Sequence, residues 1–298
     1  MNVIIVLNYN DFDNTFHYVN RIRNYAKLDY ILIVDNCSTD ESFERLQNLK
    51  DDKVNVIRTD RNEGYASGNN FGVRYLEKNN IIPEYLIISN PDIEISEQDL
   101  EHLFAEFDKL PSDTFEISGL IYDRDMKVTW NYAWRKLTYG LLLRESTFII
   151  DKILSYLKIR GREYDKQYAK ENKIIEVDVV PGCFFIAKYE LWKKVDGFTE
   201  GSFLYFEEDI LAHKAHKAGF HNYIISDAKV IHMQGETINK NIASKWRKLI
   251  IYLNGCLFYI QNTLKAGKIR IFILKLVYYL SMFEKIIYYR LYHLFRKK

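Results

Sequence analysis

The first 120 residues alternate short apolar runs with stretches in which apolar positions recur every three to four residues. The apolar runs cover residues 3–7, 30–34, 54–57, 85–88 and 115–120. Runs of this length predict buried strands, and the periodic stretches between them predict helices. Because strands that alternate with helices form βαβ units, the pattern predicts an α/β fold with a mainly parallel sheet flanked by helices.

The second half of the chain interrupts this rhythm and then ends in helices. Residues 122–173 are rich in charged and aromatic side chains and predict an insertion over one face of the sheet. Strand character returns at residues 174–180 and 184–187, on either side of a Pro-Gly-Cys turn. From residue 245 onward the pattern is helical. We therefore expect a C-terminal helical appendage on the α/β domain.

The net charge of +2 hides an asymmetry between the two ends of the chain. Residues 245–298 contain twelve Lys and Arg residues and one acidic residue, so this segment carries +11 and the first 244 residues carry −9. A basic, aromatic-rich tail on an acidic body predicts binding to an anionic surface, either a membrane or nucleic acid.

The tail has the pattern of a helix that lies on a membrane. Its apolar runs, residues 249–260 and 269–280, contain polar interruptions and fall short of the ~18 residues of a spanning helix. In a helix, Lys268, Lys275, Arg290 and Lys297 lie within roughly 60° of one another, with apolar side chains on other faces. This predicts an interfacial helix on an anionic membrane surface. The alternative is a helical pair that packs on the rest of the chain or on a second subunit, as in a homodimer. Nucleic acid is disfavoured because the aromatic residues lie among aliphatic ones.

The cysteines and the N-terminus predict a cytoplasmic location. Cys37, Cys183 and Cys256 are odd in number and far apart, which fits neither a zinc site nor a disulfide framework. The chain runs from Met1 directly into its first apolar run, without a basic leader or a cleavage site. With the basic tail, this predicts a peripheral protein on the inner face of the cell membrane.

One carboxylate follows a strand at a Pro-containing turn. The apolar run at residues 85–88 stops at Asn90-Pro91-Asp92, where Pro91 lacks the N–H that a continuing central strand needs. Ligands of open α/β sheets bind beyond the carboxyl ends of strands. Asp92 is therefore a candidate ligand for a divalent cation that bridges phosphate oxygens. The alternative is an ordinary Pro turn with Asp as a turn former.

Two further polar stretches predict nucleotide contacts. Asp35 ends a predicted strand, where an acid can accept hydrogen bonds from a nucleobase or ribose; the alternative is an ordinary capped turn. The stretch from Arg61 to Gly72 is small and polar and leads into a helix, so a ligand can approach its backbone and an anion can bind the helix start. It is not the dinucleotide fingerprint, since no glycine follows the first strand.

The third candidate is an acidic cluster, Glu207-Glu208-Asp209, directly after an aromatic run. Adjacent carboxylates in aromatic surroundings raise one another's pKa, which makes one of them a candidate general base for a hydroxyl. The alternative is that the acids complement the dipole of a helix first turn. His232 follows a later strand, where a lone His is more often a core residue than a ligand.

Together these motifs resemble family 2 glycosyltransferases of the GT-A fold over residues 1–237. The motifs that carry the resemblance are Asn8-Tyr9-Asn10, Asp35-Asn36-Cys37-Ser38, Asn62-Glu63-Gly64 with Gly68-Asn69, Asn90-Pro91-Asp92, Gly197-Phe198 and Phe206-Glu207-Glu208-Asp209. Each is weak alone, but the ordered set is specific.

The resemblance implies an inverting hexosyltransferase that uses a dTDP- or UDP-sugar and a divalent metal, Mg²⁺ or Mn²⁺. It implies a GT-A domain over residues 1–240, with a nucleotide-sugar half to about 121 and an acceptor half beyond, and a basic helical region over residues 241–298. The acceptor is expected to be a growing lipid-linked surface polysaccharide. The implied nucleotide-sugar contacts are Tyr9, Asp35, Asn62, Gly64, Asn69 and Asn90, and the implied metal or diphosphate contacts are Asp92 and His232.

Two departures from the family pattern bear on the site. Asn90 replaces the first acid of the Asp-x-Asp motif, a variant that resembles bacterial rhamnosyltransferases of cell-surface polysaccharide synthesis. It makes one metal ligand neutral and weaker. Counting back from Gly219 aligns Glu208 with the family's usual catalytic Asp, whereas Asp209 keeps the residue type one place on. Both are candidate bases, and only one can face the acceptor since adjacent helical residues point about 100° apart. The alternative function is a non-catalytic scaffold that keeps the fold.

Overall fold

The computed structural model describes residues 1–159, 161–233 and 244–295. Their strands form one sheet in the order β3-β2-β1-β4-β8-β6-β9-β5, with β7 also paired to β9. The strands are β1 (Asn2–Asn8), β2 (Tyr30–Asp35), β3 (Val54–Arg58), β4 (Tyr85–Ser89), β5 (Ile93–Ile95), β6 (Thr114–Tyr122), β7 (Ile174–Val177), β8 (Phe184–Lys188) and β9 (His221–His232).

Helices connect and flank these strands. They are α1 (Phe12–Ile22), α2 (Ser42–Leu46), α3 (Tyr65–Lys78), α4 (Glu97–Phe107), α5 (Tyr139–Glu145), α6 (Ile149–Tyr156), α7 (Lys166–Glu171), α8 (Tyr189–Lys194), α9 (Glu207–Lys217), α10 (Lys245–Asn262) and α11 (Lys268–Phe295).

The predicted fold class is confirmed, since most strands of the described sheet run in one direction. β1 pairs in parallel with β2 and β4, and β2 with β3. β8 is antiparallel to both β4 and β6, so β6 and its parallel partner β9 also follow the direction of β1. The N-terminal strands are buried along nearly their whole length, as uninterrupted apolar runs predict.

The region predicted as an insertion forms short helices rather than a regular βα unit. α5, α6 and α7 lie between β6 and β7, and Trp134 bridges to Val179 just after β7. The predicted strand at residues 174–180 ends earlier, at Val177. The Pro181-Gly182-Cys183 turn then brings the chain back into the sheet as β8.

The C-terminal helices pack on the rest of the chain through one hydrophobic cluster. Cys256, Tyr259 and Ile260 of α10 and Leu274 of α11 contact Phe206 and Ile210 at the start of α9, together with Leu137 and Leu142 near α5. The Tyr259 hydroxyl donates to the Leu137 carbonyl at 2.7 Å. The predicted boundary at 240/241 lies outside the described residues. No helix in the described ranges is both long and apolar enough to cross a membrane.

Glu116 makes the free energy of unfolding depend on pH, and one substitution tests this. Its side chain is buried inside β6, and burial raises its pKa to about 8. Folding therefore favours the protonated acid, and stability is lost as pH rises from 4.5 toward 8. We expect Glu116→Gln to remove this loss, so that its stability advantage over the wild type grows by about 3 kcal/mol between pH 5 and 7.5. Urea unfolding at the two pH values measures it; an advantage that stays constant would contradict the assignment.

Candidate active site

The carboxyl ends of three neighbouring strands meet at one edge of the sheet and carry polar residues. Because β1 lies between β2 and β4, Asn8, Asp35 and the Asn90 turn come together there. Asp35 is fully buried, and its carboxylate accepts hydrogen bonds from Asn8 Nδ2 at 2.8 Å, Ser38 N at 2.9 Å and Ser38 Oγ at 2.5 Å. Arg58 Nε lies 3.5 Å from the same carboxylate. Asp35 therefore fixes the shape of this strand edge.

The loop before α3 is held against the end of β2 by side-chain amides. Asn36 Nδ2 donates to Asn62 Oδ1 at 3.0 Å and to the Gly64 carbonyl at 3.2 Å, and Asn62 Oδ1 also accepts from Gly64 N. Gly64 has φ +99°, and a Cβ there would lie 2.0 Å from the Phe203 carbonyl oxygen. That carbonyl accepts from Tyr65 N at 3.1 Å. The first N–H of α3 is thus engaged by the protein itself, and Gly64 is required for this close approach.

Two other predicted nucleotide-sugar residues lie near this edge. Tyr9 is half-buried and directly follows β1. Asn69 is fully buried in α3, where its Nδ2 donates to the Tyr65 carbonyl at 3.0 Å. Its Oδ1 has no hydrogen-bond partner among the described residues. Asn90 lines a cleft that also contains Glu208 and His232, and its backbone N–H donates to the Cys183 carbonyl at 2.8 Å.

The structure brings Asp92 and His232 together through strand pairing. β5 and β9 are antiparallel with Ile93 opposite His232, which places His232 Nε2 3.3 Å from Asp92 Oδ1. Burial disfavours the charged imidazole, but the Cys183 sulfur and the Asp92 carboxylate outweigh it and raise the pKa of His232 to about 10. His232 Nδ1 is buried without a partner among the described residues.

This pair fits a divalent cation that phosphates help to hold. A carboxylate and a neutral imidazole are ligands that Mn²⁺ accepts, so His232 would lose its proton on binding the metal, and Mg²⁺ commonly binds through one or two carboxylates plus substrate phosphates. No group of three or more His, Cys, Asp or Glu residues suited to a metal occurs in the described part of the chain. The protein pair would therefore need ligands from a diphosphate.

The acidic cluster begins α9 on a strained backbone. Tyr205 and Phe206 both lie in the left-handed region, with φ of 75° and 71°, immediately before Glu207. Such conformations are costly for bulky residues and persist only where packing enforces them. Gly255 of α10 supplies that packing, since a Cβ there would lie 2.9 Å from Phe206 Cδ2 and 3.1 Å from the Leu204 carbonyl. The tail helix therefore holds the start of α9 in place.

Asp209 and Glu208 have different environments. The Asp209 carboxylate accepts from Arg162 Nη2 in a buried ion pair, in which the Asp209 side chain is 5% exposed and Arg162 9%. Arg162 Nε also lies 3.9 Å from Glu145. Burial raises the pKa of Asp209 to about 6 even though Arg162 opposes the shift. The Asp209 carboxylate is therefore engaged in a structural ion pair with Arg162.

Glu208 lines a cleft of about 500 Å³, as do Glu207 and Asp209, but it does so without an ion-pair partner among the described residues. It is half-buried, and a Cβ built on Gly182 would lie 3.8 Å from Glu208 Oε2. Burial and the negative charges of Glu207 and Asp209 raise its pKa well above the usual range. The same cleft is lined by Asn90, Cys183 and His232 and by the aromatic side chains of Trp130, Trp134 and Tyr252.

Sequence reasoning assigned no role to several residues of this cleft. Trp130 and Trp134 lie in the aromatic-rich segment for which the sequence pattern predicts only an insertion. Arg162, Glu145 and Tyr252 carry no local motif, and their positions depend on contacts between segments far apart in the chain. The aromatic content of residues 122–173 was the one available signal.

The Arg162–Asp209 pair makes a testable contribution to stability. We expect Arg162→Met to lower the free energy of unfolding by about 3–5 kcal/mol, because it leaves the Asp209 carboxylate buried and uncompensated. Adding Asp209→Leu should restore most of this loss, since both charges are then absent. Urea unfolding of the single and double variants at pH 7.5 measures it. A single variant as stable as the wild type would show that the pair is not formed.

Solved structures with the same fold are glycosyltransferases. The mannosyltransferase PcManGT from Pyrobaculum calidifontis, in complex with GDP-Man and Mn²⁺, superposes with a TM-score of 0.56 over 93% of this chain and 69% of its own, at 14% identity. TarS of S. aureus, residues 1–349 with UDP-GlcNAc, gives 0.53 over 88% and 67%, at 15% identity. At these identities the likeness shows the fold, which is that of GT-A glycosyltransferases.

The sequence then defines the family. The profile of Glycosyl transferase family 2 matches residues 3–189, and the chain belongs to that family. The low-salt glycan biosynthesis hexosyltransferase Agl10 of Haloferax volcanii is 24% identical over 214 residues, which are 72% of this chain and 61% of Agl10. The chain thus spans less than two thirds of that relative. The predicted resemblance to family 2 glycosyltransferases is confirmed.

Proposed function

We propose that this chain is an inverting hexosyltransferase that moves a sugar from a nucleoside-diphosphate donor to a hydroxyl group of a lipid-linked saccharide at the inner membrane face. The observation that carries the proposal is one cleft lined both by a half-buried carboxylate, Glu208, with no ion-pair partner among the described residues, and by His232, which contacts Asp92. Family membership supports it, and Agl10, a hexosyltransferase of glycan biosynthesis, supports a glycan acceptor. The donor would be a dTDP- or UDP-sugar, with rhamnose suggested by the Asn90 variant.

The strand edge is the proposed nucleotide site. Tyr9 would contact the nucleoside, and Asp35 would act with the Asn8 and Ser38 groups that it orders, since its own carboxylate is buried. Asn62 and Gly64 shape the loop beside it, and Asn69 supports the first turn of α3. Asn90 would face the sugar or the diphosphate from the cleft wall.

Glu208 is the proposed base in preference to Asp209. A base must reach the acceptor hydroxyl and must have a free lone pair. The Asp209 carboxylate accepts a hydrogen bond from Arg162 in a buried ion pair, whereas Glu208, which lines the cleft, has no ion-pair partner among the described residues. The raised pKa of Glu208 makes it a stronger base than an exposed carboxylate.

The reaction follows as one displacement. Glu208 accepts the proton of the acceptor hydroxyl while that oxygen attacks the anomeric carbon, and the bond to the diphosphate breaks on the opposite face, which inverts the configuration. Asp92 and His232 would hold a divalent cation that neutralises the charge on the departing diphosphate. No second carboxylate is required because the diphosphate leaves without strong protonation, in contrast to glycoside hydrolysis.

The pH profile tests the state of the base. Because Glu208 must be ionised to accept a proton and its pKa is raised, we expect kcat/KM to fall as pH drops, with its midpoint above the ordinary Glu value of 4.5. The midpoint belongs to the coupled acidic cluster rather than to one residue. A profile that stays flat down to pH 4.5 would contradict a base with a raised pKa.

A donor panel tests the function itself. The full chain is screened with dTDP-, UDP- and GDP-sugars for thermal stabilisation, with and without Mn²⁺, and then for release of the nucleoside diphosphate. We expect stabilisation and slow release with one donor class. Neither effect with any donor would favour the non-catalytic scaffold.

A further inference from the structure

The last helix carries apolar side chains on two opposite faces. One face is covered, since Tyr278 and Met282 of α11 pack with Leu253 of α10. The opposite face is exposed over five turns and has almost no polar interruption, with Phe272 66% and Phe283 62% exposed. Its exposed apolar members are Ile269, Phe272, Ile273, Leu276, Tyr279, Leu280, Phe283, Ile286 and Ile287.

Helix α6 lies beside α11 and adds a second exposed apolar group. The Phe148 and Tyr288 rings meet edge to face at 5.2 Å, and Lys152 Nζ lies over both rings. The Ile149 N–H donates to Glu284 of α11 at 3.3 Å. The exposed side chains of α6 and its C-terminal turn are Ile149, Ile150, Ile153, Tyr156, Leu157 and Ile159. We call the exposed apolar side chains of α6 and α11 together the α6–α11 surface.

The charged residues around the α6–α11 surface indicate what binds to it. A contiguous apolar area of this kind exceeds the scattered apolar residues normal on a monomer and marks an interaction surface. The charged groups around it are mainly cations: Lys152 and Lys158 on the α6 side, and Lys268, Arg270 and Lys275 on α11 are exposed. Asp151 is paired with Arg144. A second copy would bring cations against cations, whereas anionic headgroups complement them.

We propose that the α6–α11 surface lies in the interface of an anionic lipid bilayer and thereby places the cleft, where the acceptor would bind, close to that bilayer. The proposal rests on the proposed function for its acceptor, and it extends membrane contact from the basic tail to α6, a segment whose sequence pattern predicts no membrane contact. Apolar side chains would enter the acyl boundary while the cations contact headgroups.

Contacts of α5 connect this surface to the cleft. Glu145, the last residue of α5, lines the cleft, and the preceding Arg144 Nε donates to Asp151 of α6 at 2.9 Å. The Tyr139 hydroxyl at the start of α5 donates to the Arg270 carbonyl of α11 at 2.7 Å. Helix α5 therefore contacts both the cleft and the two helices that carry the α6–α11 surface. A saccharide carried on a membrane lipid would thus reach Glu208 without leaving the bilayer.

Vesicle binding tests the surface residue by residue. The full chain and its variants are sedimented with phosphatidylglycerol–phosphatidylcholine vesicles and with phosphatidylcholine alone. We expect Ile153→Asp on α6 and Phe272→Asp on α11 each to weaken partition onto anionic vesicles at least about tenfold. Each substitution removes apolar surface that would be buried in the bilayer and adds a negative charge near the headgroups. Ile82→Asp is the matched control, since Ile82 is 59% exposed outside the surface, and it should leave partition unchanged.

Other results separate the alternatives. Partition that is equal on neutral vesicles, or unchanged by both surface variants, would overturn the proposal. A third result would also overturn it: light scattering shows a wild-type dimer, Ile153→Asp is a monomer, and neither form binds vesicles. The surface would then be a subunit interface. Nucleoside-diphosphate release in the absence of vesicles should be unaffected by the surface variants. If no donor is turned over but vesicle binding follows the expected pattern, the proposed function fails and the surface stands.

Discussion

The Glu208→Gln variant is expected to lose at least about 10²-fold in kcat while its affinity for the donor changes little. The amide preserves the shape of the side chain but cannot accept the hydroxyl proton, and loss of a general base costs about 10²–10⁴-fold. Because Glu208 lines the cleft without the ion pair that holds Asp209, the fold should tolerate the change. Nucleoside-diphosphate release with the donor found in the panel measures kcat and KM.

Glu190→Gln is the matched control, since Glu190 occupies the first turn of α8 as an exposed acid outside the cleft. It should turn over like the wild type. Asp209→Asn should act mainly on stability, because it weakens the pairing with Arg162. Normal turnover in Glu208→Gln together with loss in a folded Asp209→Asn would move the base to Asp209.

The Asp92→Asn variant is expected to lose Mn²⁺-dependent binding of the nucleoside diphosphate and roughly 10²-fold or more in turnover. The substitution removes the carboxylate charge beside His232, and metal stabilisation of a developing charge contributes several kcal/mol to catalysis. Calorimetric titration of the nucleoside diphosphate with and without Mn²⁺ measures the first effect, and the release assay measures the second.

Glu94→Gln provides its control two residues further along the chain, within β5. Glu94 faces Arg21 on the surface, so its loss should leave both readouts unchanged. Circular dichroism confirms that each variant is folded. If Asp92→Asn binds the nucleoside diphosphate with the wild-type dependence on Mn²⁺, Asp92 is not a metal ligand.

The fold could be predicted because its signal is local. The strands β1, β2 and β4 are uninterrupted apolar runs, since they are covered on both faces, and each ends at a polar residue where the sheet edge begins. Asp35 and Asp92 were found by this reasoning alone. The sequence could not show that the Asp35 carboxylate is enclosed by Asn8 and Ser38, because that depends on strand register.

The differences within the acidic cluster could not be predicted for the same reason. Glu208 and Asp209 are adjacent and alike in chemistry, and they differ only through Arg162, which lies 47 positions away in a segment without a motif. The pairing of α6 with α11 likewise joins segments that are more than a hundred residues apart. In the tail, the helical pattern predicts apolar side chains on the faces away from the cations, but which of them pack on α10 and which stay exposed depends on tertiary contacts.

The stereochemistry of the released sugar tests the account most directly. With an α-linked donor and water in place of the acceptor, proton NMR in the first minutes, before mutarotation, shows which anomer the enzyme forms. A single displacement assisted by Glu208 predicts the β-anomer, and its rate of formation should fall in Glu208→Gln. Release of the α-anomer would contradict the proposed mechanism, because it requires two displacements or front-side attack.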